Sequence, residues 1–508
     1  MVARNDEGSG SASCPSPAPW RNWGGTQEIF PQRFERPASL SELREIVKKV
    51  TERSGRMRAV ATGLSFSDIL QTDDTLVEVT ALLGEAPDGV FLPLEEELWK
   101  KPRPTVPLVR IVCGARIRYL NAALARAGLA FTNLGGYDGQ TIIGAISTST
   151  HGSGIKFGPL GDGVRSLDLV TTGGALYRIE PTAGITDPAR FASRYGDTMK
   201  LVQDDDTFWS VVVSMGCMGV VYSVTMQVSP AFRIRERRRL ASWREIAAEL
   251  ASKTPPFEKF RNYEVLLNPY QRKDGDYTCL VTERDLAPPD ARRVPLPGGR
   301  QYAESITFLA STQREIVEIV NREPRLMPTI LEVGFGILVS QETLDESYLI
   351  YNVGKINTAD VVSGEYFFPM KDGSHLAAVT RMLEIVQQNT KRGIYQTSPL
   401  ALRFVAGSKA PLSMTRSECH CTMEISLFRG APGAVQAILD YERACLELGG
   451  RPHWAQLHLL TGEPGWLRRA YPGLDTWLRT YEFFNAKGVF NNHFTDRLGL
   501  SMPMAVRP

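Results

Sequence analysis

The sequence predicts an α+β fold of two or three domains, and three observations carry that expectation. Its 508 residues are 43% hydrophobic and 22% charged. At ~100–200 residues per domain this supports several cores and excludes a wholly disordered chain. Short strand-like and helix-like segments mix without the regular βαβ alternation of a doubly wound sheet. Turns rich in glycine, serine and threonine follow several of the strand-like runs, and no internal repeat is visible.

Residues 1–19 read as a flexible polar tail without the apolar run of a secretory signal. Ser39 to Arg53 places Leu40, Leu43, Ile46, Val47 and Val50 on one stripe, with Ser39 as cap and Glu42 three residues on, which predicts a helix. Arg58 to Ala61 is a short strand running into the turn Thr62-Gly63-Leu64-Ser65. Leu76–Val79 and Leu108–Val112 read as strands, and Leu120–Ala127 as a helix that Gly128 ends. Gly135 to Gly163 is dense in small residues around His151, and strands Val164–Thr171 and Leu176–Ile179 follow.

Val211 to Val228 carries no charge and comes nearest to a membrane span. Ser214, Gly216, Gly219, Ser223, Thr225, Gln227 and the nearby Pro230 instead favour a glycine turn feeding a buried strand. Five arginines between Ala231 and Arg239 mark a boundary and a solvated strand or linker. Pro288–Gly299 reads as a surface loop, and the aromatic stretch from Arg451 as a return onto the first domain.

Several function classes drop out on composition. With 58 basic against 56 acidic residues, a net charge of +2 leaves no electrostatic footprint for nucleic acid or an anionic membrane. The seven cysteines are scattered, with no CxxC pair and no disulfide framework, which suits a cytoplasmic protein. Cys419-His420-Cys421 resembles a metal cluster, but strand alternation sends the cysteines one way and the histidine the other, so no metal is expected.

Two glycine-rich places carry the chemistry: Ala61 to Ser65 directly after a strand, and Gly144 to Gly154. Tight turns of small residues expose consecutive backbone N–H groups, which is what a pyrophosphate requires. Neither matches GxGxxG nor a Walker loop, which disfavours a nicotinamide Rossmann site and a P-loop.

Thr62-Gly-Leu-Ser-Phe-Ser-Asp68, Asn133-Leu-Gly-Gly-Tyr-Asp-Gly-Gln-Thr-Ile-Ile-Gly144, Ser149-Thr-His-Gly-Ser-Gly154 and Gly216-Cys-Met-Gly-Val-Val221 together resemble the flavin-binding domain of the vanillyl-alcohol oxidase superfamily. Arg451-Pro-His-Trp-Ala-Gln456 and Gly488-Val-Phe-Asn-Asn492 are similar to its sugar-1,4-lactone and alditol oxidase branch. The resemblance implies a two-subdomain PCMH-type FAD-binding domain over residues 20–232, an α+β substrate (cap) domain over 233–450, and a segment, 451–508, returning to the first. It implies FAD held by Ala59, Val60, Ala61, Thr62, Gly63, Leu64 and Ser65. A second segment would contribute Gly135, Gly136, Thr141, Gly144, Thr148, Ser149, Thr150 and His151, with Val221 at the adenine end and Asn492 from the closing segment.

Departures from the family pattern matter. Oxidases of this branch read Gly-His-Ser in the first turn, the histidine bonding covalently to the flavin; here Leu64 stands there, and non-covalent FAD is expected. The branch's Glu-x-Arg becomes Ala401-Leu402-Arg403, so Arg403 remains to stabilise anionic reduced flavin while the carboxylate is lost. Its His-Trp-x-Lys becomes His453-Trp454-Ala455-Gln456, and Gln456 can hydrogen-bond a hydroxyl but supplies no cation. In the run Cys421 to Leu427, period-2 alternation puts Met423, Ile425 and Leu427 on one face and Glu424 on the other, where it can act as a replacement acid. Catalytic candidates are therefore Arg403, Gln456, Glu424 and His453.

Gly135 precedes the flavin-contacting glycine and, being small, leaves room for oxygen. The expectation is an FAD-dependent oxidoreductase that oxidises an alcohol or lactol-like C–OH by hydride transfer to flavin N5, with O2 as acceptor. The substrate is expected to be a specialised metabolite and not a simple alditol or aldonolactone. A dehydrogenase with another acceptor and a catalytically silent flavin-binding protein are the alternatives.

Overall fold

The computed structural model describes residues 19–288, 290–295, 313–339, 342–352, 361–460 and 464–501. Most of the tail and part of the loop at 288–299 lie outside them. The helix expected from Ser39 runs Leu40–Glu52, capped by the Ser39 side chain, and buries Leu43, Val47 and Val50. It packs beside a parallel sheet of three strands, ordered Arg33–Glu35, Thr75–Glu78 and Met57–Val60.

A second sheet has six strands, ordered Lys200–Gln203, Ala175–Glu180, Val164–Thr171, Val220–Gln227, Leu108–Val112 and Phe91–Leu92. The uncharged stretch from Val211 begins as the end of a helix, Asp205–Val212, before its turn and the buried strand Val220–Gln227. Among the described residues, no helix is long and apolar enough to cross a membrane.

The largest sheet has eight antiparallel strands, ordered Thr343–Glu346, Arg233–Ser242, Thr278–Leu286, Asn262–Leu267, Leu400–Val405, His420–Phe428, Val361–Pro369 and Arg451–Pro452. Helices Ser374–Lys391 and Ala434–Glu447 cover one of its faces, burying Leu402, Phe404, Met423, Ile425 and Leu427. The other face carries polar side chains and turns toward a cavity. The arginine-rich run is an interior strand of this sheet. Arg237 is exposed as expected, but Arg238 is buried and pairs with Glu236 at 2.9 Å. Arg284 in turn bridges Glu236 at 2.7 Å and Glu264 at 2.8 Å, so opposite charges in register replace a purely solvated strand.

The C-terminal stretch closes onto the first two sheets. Trp477 Nε1 donates to the Val213 carbonyl at 3.0 Å, and the Met57 N–H donates to the Val489 carbonyl at 2.7 Å. Val489 and Phe490 share a core with Leu43, Val47 and Val77.

Candidate active site

The strand Met57–Val60 delivers the turn Ala61–Ser65 into a channel of about 160 Å³. Gly63 has φ +61°, and a Cβ there would lie 2.5 Å from the Trp20 ring, so the turn needs glycine. Among the described residues, the N–H groups of Thr62, Gly63, Leu64 and Ser65 donate to no protein group. Such a run of unused donors is an anion nest. Thr141, Gly144, Thr148 and Thr150 line the facing wall, and Met215, Gly216, Gly219 and Val221 a third. Gly219 has φ +148°, and a Cβ would meet the Val170 carbonyl oxygen at 2.5 Å, so this wall too depends on a bare backbone.

Arg58, which the sequence reading passed over, also lines this channel and is 2% exposed. Its guanidinium donates to the carbonyls of Ile69 at 2.7 Å, Met215 at 2.6 Å and Gly216 at 2.8 Å. An arginine inside an apolar strand was the available signal, since burial demands that all five donors be used.

Two expected cofactor contacts point elsewhere. Ser149, at φ +59°, turns its hydroxyl to Ser413 Oγ at 2.8 Å. Asn492 spends its amide on the carbonyls of Ile69 and Gln71, both at 3.0 Å, and caps the helix His493–Arg497. Its polar atoms are used by the protein itself.

A second cavity, of about 430 Å³, shares Leu64, Gln140, Thr150 and Ala455 with the first. Gly135, Gly136 and His151 line one side, and Glu365, Arg403, Glu424, His453 and Gln456 approach from the cap sheet and the loop after it. The sheet register makes this cluster. Glu365 pairs with Glu424, and Glu424 with Ala401, so their side chains share one face with Arg403 two residues along its strand. Arg403 donates to Glu424 Oε2 at 2.7 Å and stands 3.5 Å from Glu365 Oε1. Burial opposes its charge, but Glu424, Glu365 and Glu264 outweigh burial and hold its pKa above the ordinary value.

Glu365 was not among the expected residues. It accepts from Thr422 Oγ1 at 2.8 Å and faces His151 Nε2 at 3.1 Å. Burial raises its pKa, yet His151, Arg403 and His453 together pull it well below the usual carboxylate range. His151 Nδ1 lies 2.8 Å from the Gly152 carbonyl, so both ring nitrogens face acceptors. His453 Nδ1 accepts the Ala455 N–H at 3.1 Å, which places the ring proton on Nε2. Burial pulls its pKa down to about 4 despite Glu365, leaving it neutral at pH 7.

His151, Glu365 and His453 bring their potential ligand atoms within 4.8 Å of one another. Arg403 stands beside this trio, 3.5 Å from Glu365 Oε1. His420 of the Cys-His-Cys run turns its Nδ1 to the Glu418 carbonyl at 2.8 Å, and Cys421 joins the cap core. Gln456 lines the cavity with a buried Oε1 that has no partner among the described residues. An orphaned acceptor beside charged groups marks where a ligand donor belongs.

The channel fits a dinucleotide flavin: unused N–H groups suit its pyrophosphate, and the connected cavity offers fixed positive charge where a reduced ring becomes anionic. Fold and site together define a flavin-dependent oxidoreductase. Residues 31–180 match the FAD-binding domain and residues 224–498 match the D-arabinono-1,4-lactone oxidase family. The chain belongs to that family, and FAD is its cofactor.

Among its relatives, L-gulono-1,4-lactone dehydrogenase of Mycobacterium tuberculosis is 27% identical over 94% of this chain and 98% of its own length. L-gulonolactone oxidase of Bos taurus is 23% identical over 94% and 98%. Cholesterol oxidase from B. sterolicum shares the fold, with a TM-score of 0.73 at 17% identity over 94% of this chain and 96% of that one.

Proposed function

We propose that the protein oxidises a C–OH group of a small molecule, with non-covalently held FAD and O2 as the acceptor. FAD, when bound, supplies the hydride acceptor at N5. The carrying observation is the cluster of Arg403, Glu424, Glu365 and His453 at the mouth of the FAD channel. Glu424 Oε2 holds Arg403, and its Oε1 has only a long contact of 3.4 Å from Ser363, so this carboxylate is placed to receive the alcohol proton. Arg403 stabilises the negative charge that develops at the ring edge, and neutral His453 can donate from Nε2 to the substrate oxygen. His151 and Glu365 orient this set.

Leu64 lines both cavities and has no nucleophile, which supports a dissociable cofactor. Gly135 at the wall supports oxygen access. The relatives named above are lactone enzymes, whereas Ala401 and Gln456 stand here in place of the branch's glutamate and lysine. That difference supports a substrate other than a simple alditol or aldonolactone.

Acid precipitation of the purified yellow protein tests the cofactor reading: flavin should pass into the supernatant, and a yellow pellet would overturn it. Peroxide formed in air, set against flavin bleached without air, tests the acceptor. Bleaching that reverses only with an added quinone or dye would replace O2.

A further inference from the structure

The cavity floor is one face of the cap sheet, and its chemistry changes along the strands. Register sets Val361 opposite Phe428, then Ser363 opposite Ser426, then Glu365 opposite Glu424. Polarity therefore falls stepwise from the charged cluster to a hydrocarbon end over the ~13 Å that four strand residues span. Leu266, in register with Ala401, extends the apolar floor.

The roof is the helix Met327–Leu338, which turns Leu331, Phe335 and Leu338 into the cavity. Phe335 and Leu338 pack on Leu280 with Leu266 beside them. Glu332 is the helix's one charge, and it is spent on Asn268 at 3.0 Å and Thr278 at 3.0 Å, which pins the helix across the sheet.

A polyhydroxylated substrate would bury hydroxyls against this end, where Val361, Leu266, Leu331, Phe335 and Leu338 present hydrocarbon and the Thr397 and Ser398 hydroxyls are already bonded to the backbone of Phe428 and Ser426. Each such hydroxyl costs affinity when left unpaired. We infer that the substrate is an elongated, largely apolar alcohol that reacts at one terminal hydroxyl. Its oxygen meets Glu424, Arg403 and His453, and its hydrocarbon body lies between the floor and the helix roof. This rests on the alcohol-oxidising reading above. Oxidation takes two electrons and the carbinol hydrogen as hydride to FAD, and the hydroxyl proton to Glu424, leaving an aldehyde or ketone.

The test is a series of linear primary alcohols from 1-butanol to 1-dodecanol, set against L-gulono-1,4-lactone and sorbitol, with the FAD-loaded protein. The rate constant for anaerobic flavin bleaching at limiting alcohol should rise about fourfold per added methylene. Val361→Asp, on the half-buried end of its strand, should flatten that rise, lowering the rate for 1-dodecanol far more than the rate for 1-butanol. Perturbation of the oxidised flavin spectrum and thermal shift read binding without turnover. If the lactone or sorbitol bleaches the flavin faster than every alcohol, or if neither rate nor binding follows chain length, the inference is overturned. If binding follows chain length but nothing bleaches the flavin, the substrate class stands and the oxidation reading falls.

Discussion

The two halves of the site are built from different materials. The FAD channel is made of backbone: free N–H groups at Thr62–Ser65 and glycines at 63, 144, 216 and 219. The substrate cavity is made of side chains brought together by strand register: Glu365 from one strand, Glu424 from the next, Arg403 from a third. A cofactor that never changes can be read by the main chain, whose donors vary little with sequence. A substrate that differs between relatives has to be read by groups that evolution can exchange singly.

This contrast can be broken in three ways. The largest effect belongs to the side-chain half. Arg403→Met should slow flavin reduction by ~10²–10³-fold, because a fixed charge at developing charge is lost. Its FAD content should stay near one per chain; stopped-flow bleaching and a visible spectrum check both. Loss of FAD from this variant would show that the two halves are not separable.

Next comes the backbone half. Gly63→Ala forces a side chain into φ +61° and against the Trp20 ring, and should cost ~1–3 kcal/mol in denaturant unfolding. It should also weaken FAD retention on dialysis at least tenfold. Retention like wild type would mean that the nest does not hold the cofactor.

The smallest effect is a pH dependence. His458 is buried, and burial pushes its pKa down to about 3. The unfolded ring titrates near 6.5, so on acidification the unfolded chain takes the proton first, and stability falls from about pH 6.5 down to about 3. Burial also lowers His420 and His453, each to about 4, and they act in the same direction. Asp162, pushed up to about 6 by burial, acts oppositely, its contribution falling as pH rises from 3.8 toward 6. His458→Leu should therefore be stabilised relative to wild type at pH 5 more than at pH 7.5. Equal differences at the two pH values in urea melts would remove His458 from the account.

The channel lining was legible in the sequence because the residues that form it are local. Gly63 follows a strand by three residues, and Thr141, Gly144, Thr148 and Thr150 lie within ten residues of one another. Ser149 and Asn492 turn their side chains to protein partners because side-chain direction depends on a left-handed backbone and on a helix cap, which motif position does not specify. Alternation alone put Glu424 opposite the apolar face that packs in the cap core. Glu365 was missed because its strand reads as continuously buried, Val-Val-Ser-Gly-Glu-Tyr-Phe-Phe, and only the pairing with Glu424 shows which face it takes. Arg58 was missed for a similar reason: its carbonyl partners come from distant turns.

Those partners also set an order of assembly. Arg58 reaches the Phe490 carbonyl at 3.4 Å, 432 positions away, while Met57 bonds Val489 and Arg497 pairs with Asp68. During synthesis the first strands of the FAD channel emerge hundreds of residues before the segment that completes them. The contacts that close the first two sheets against residues 489–497 span the whole cap in sequence. The channel is thus a structure of high contact order, closed by the contacts that chain topology makes slowest to form.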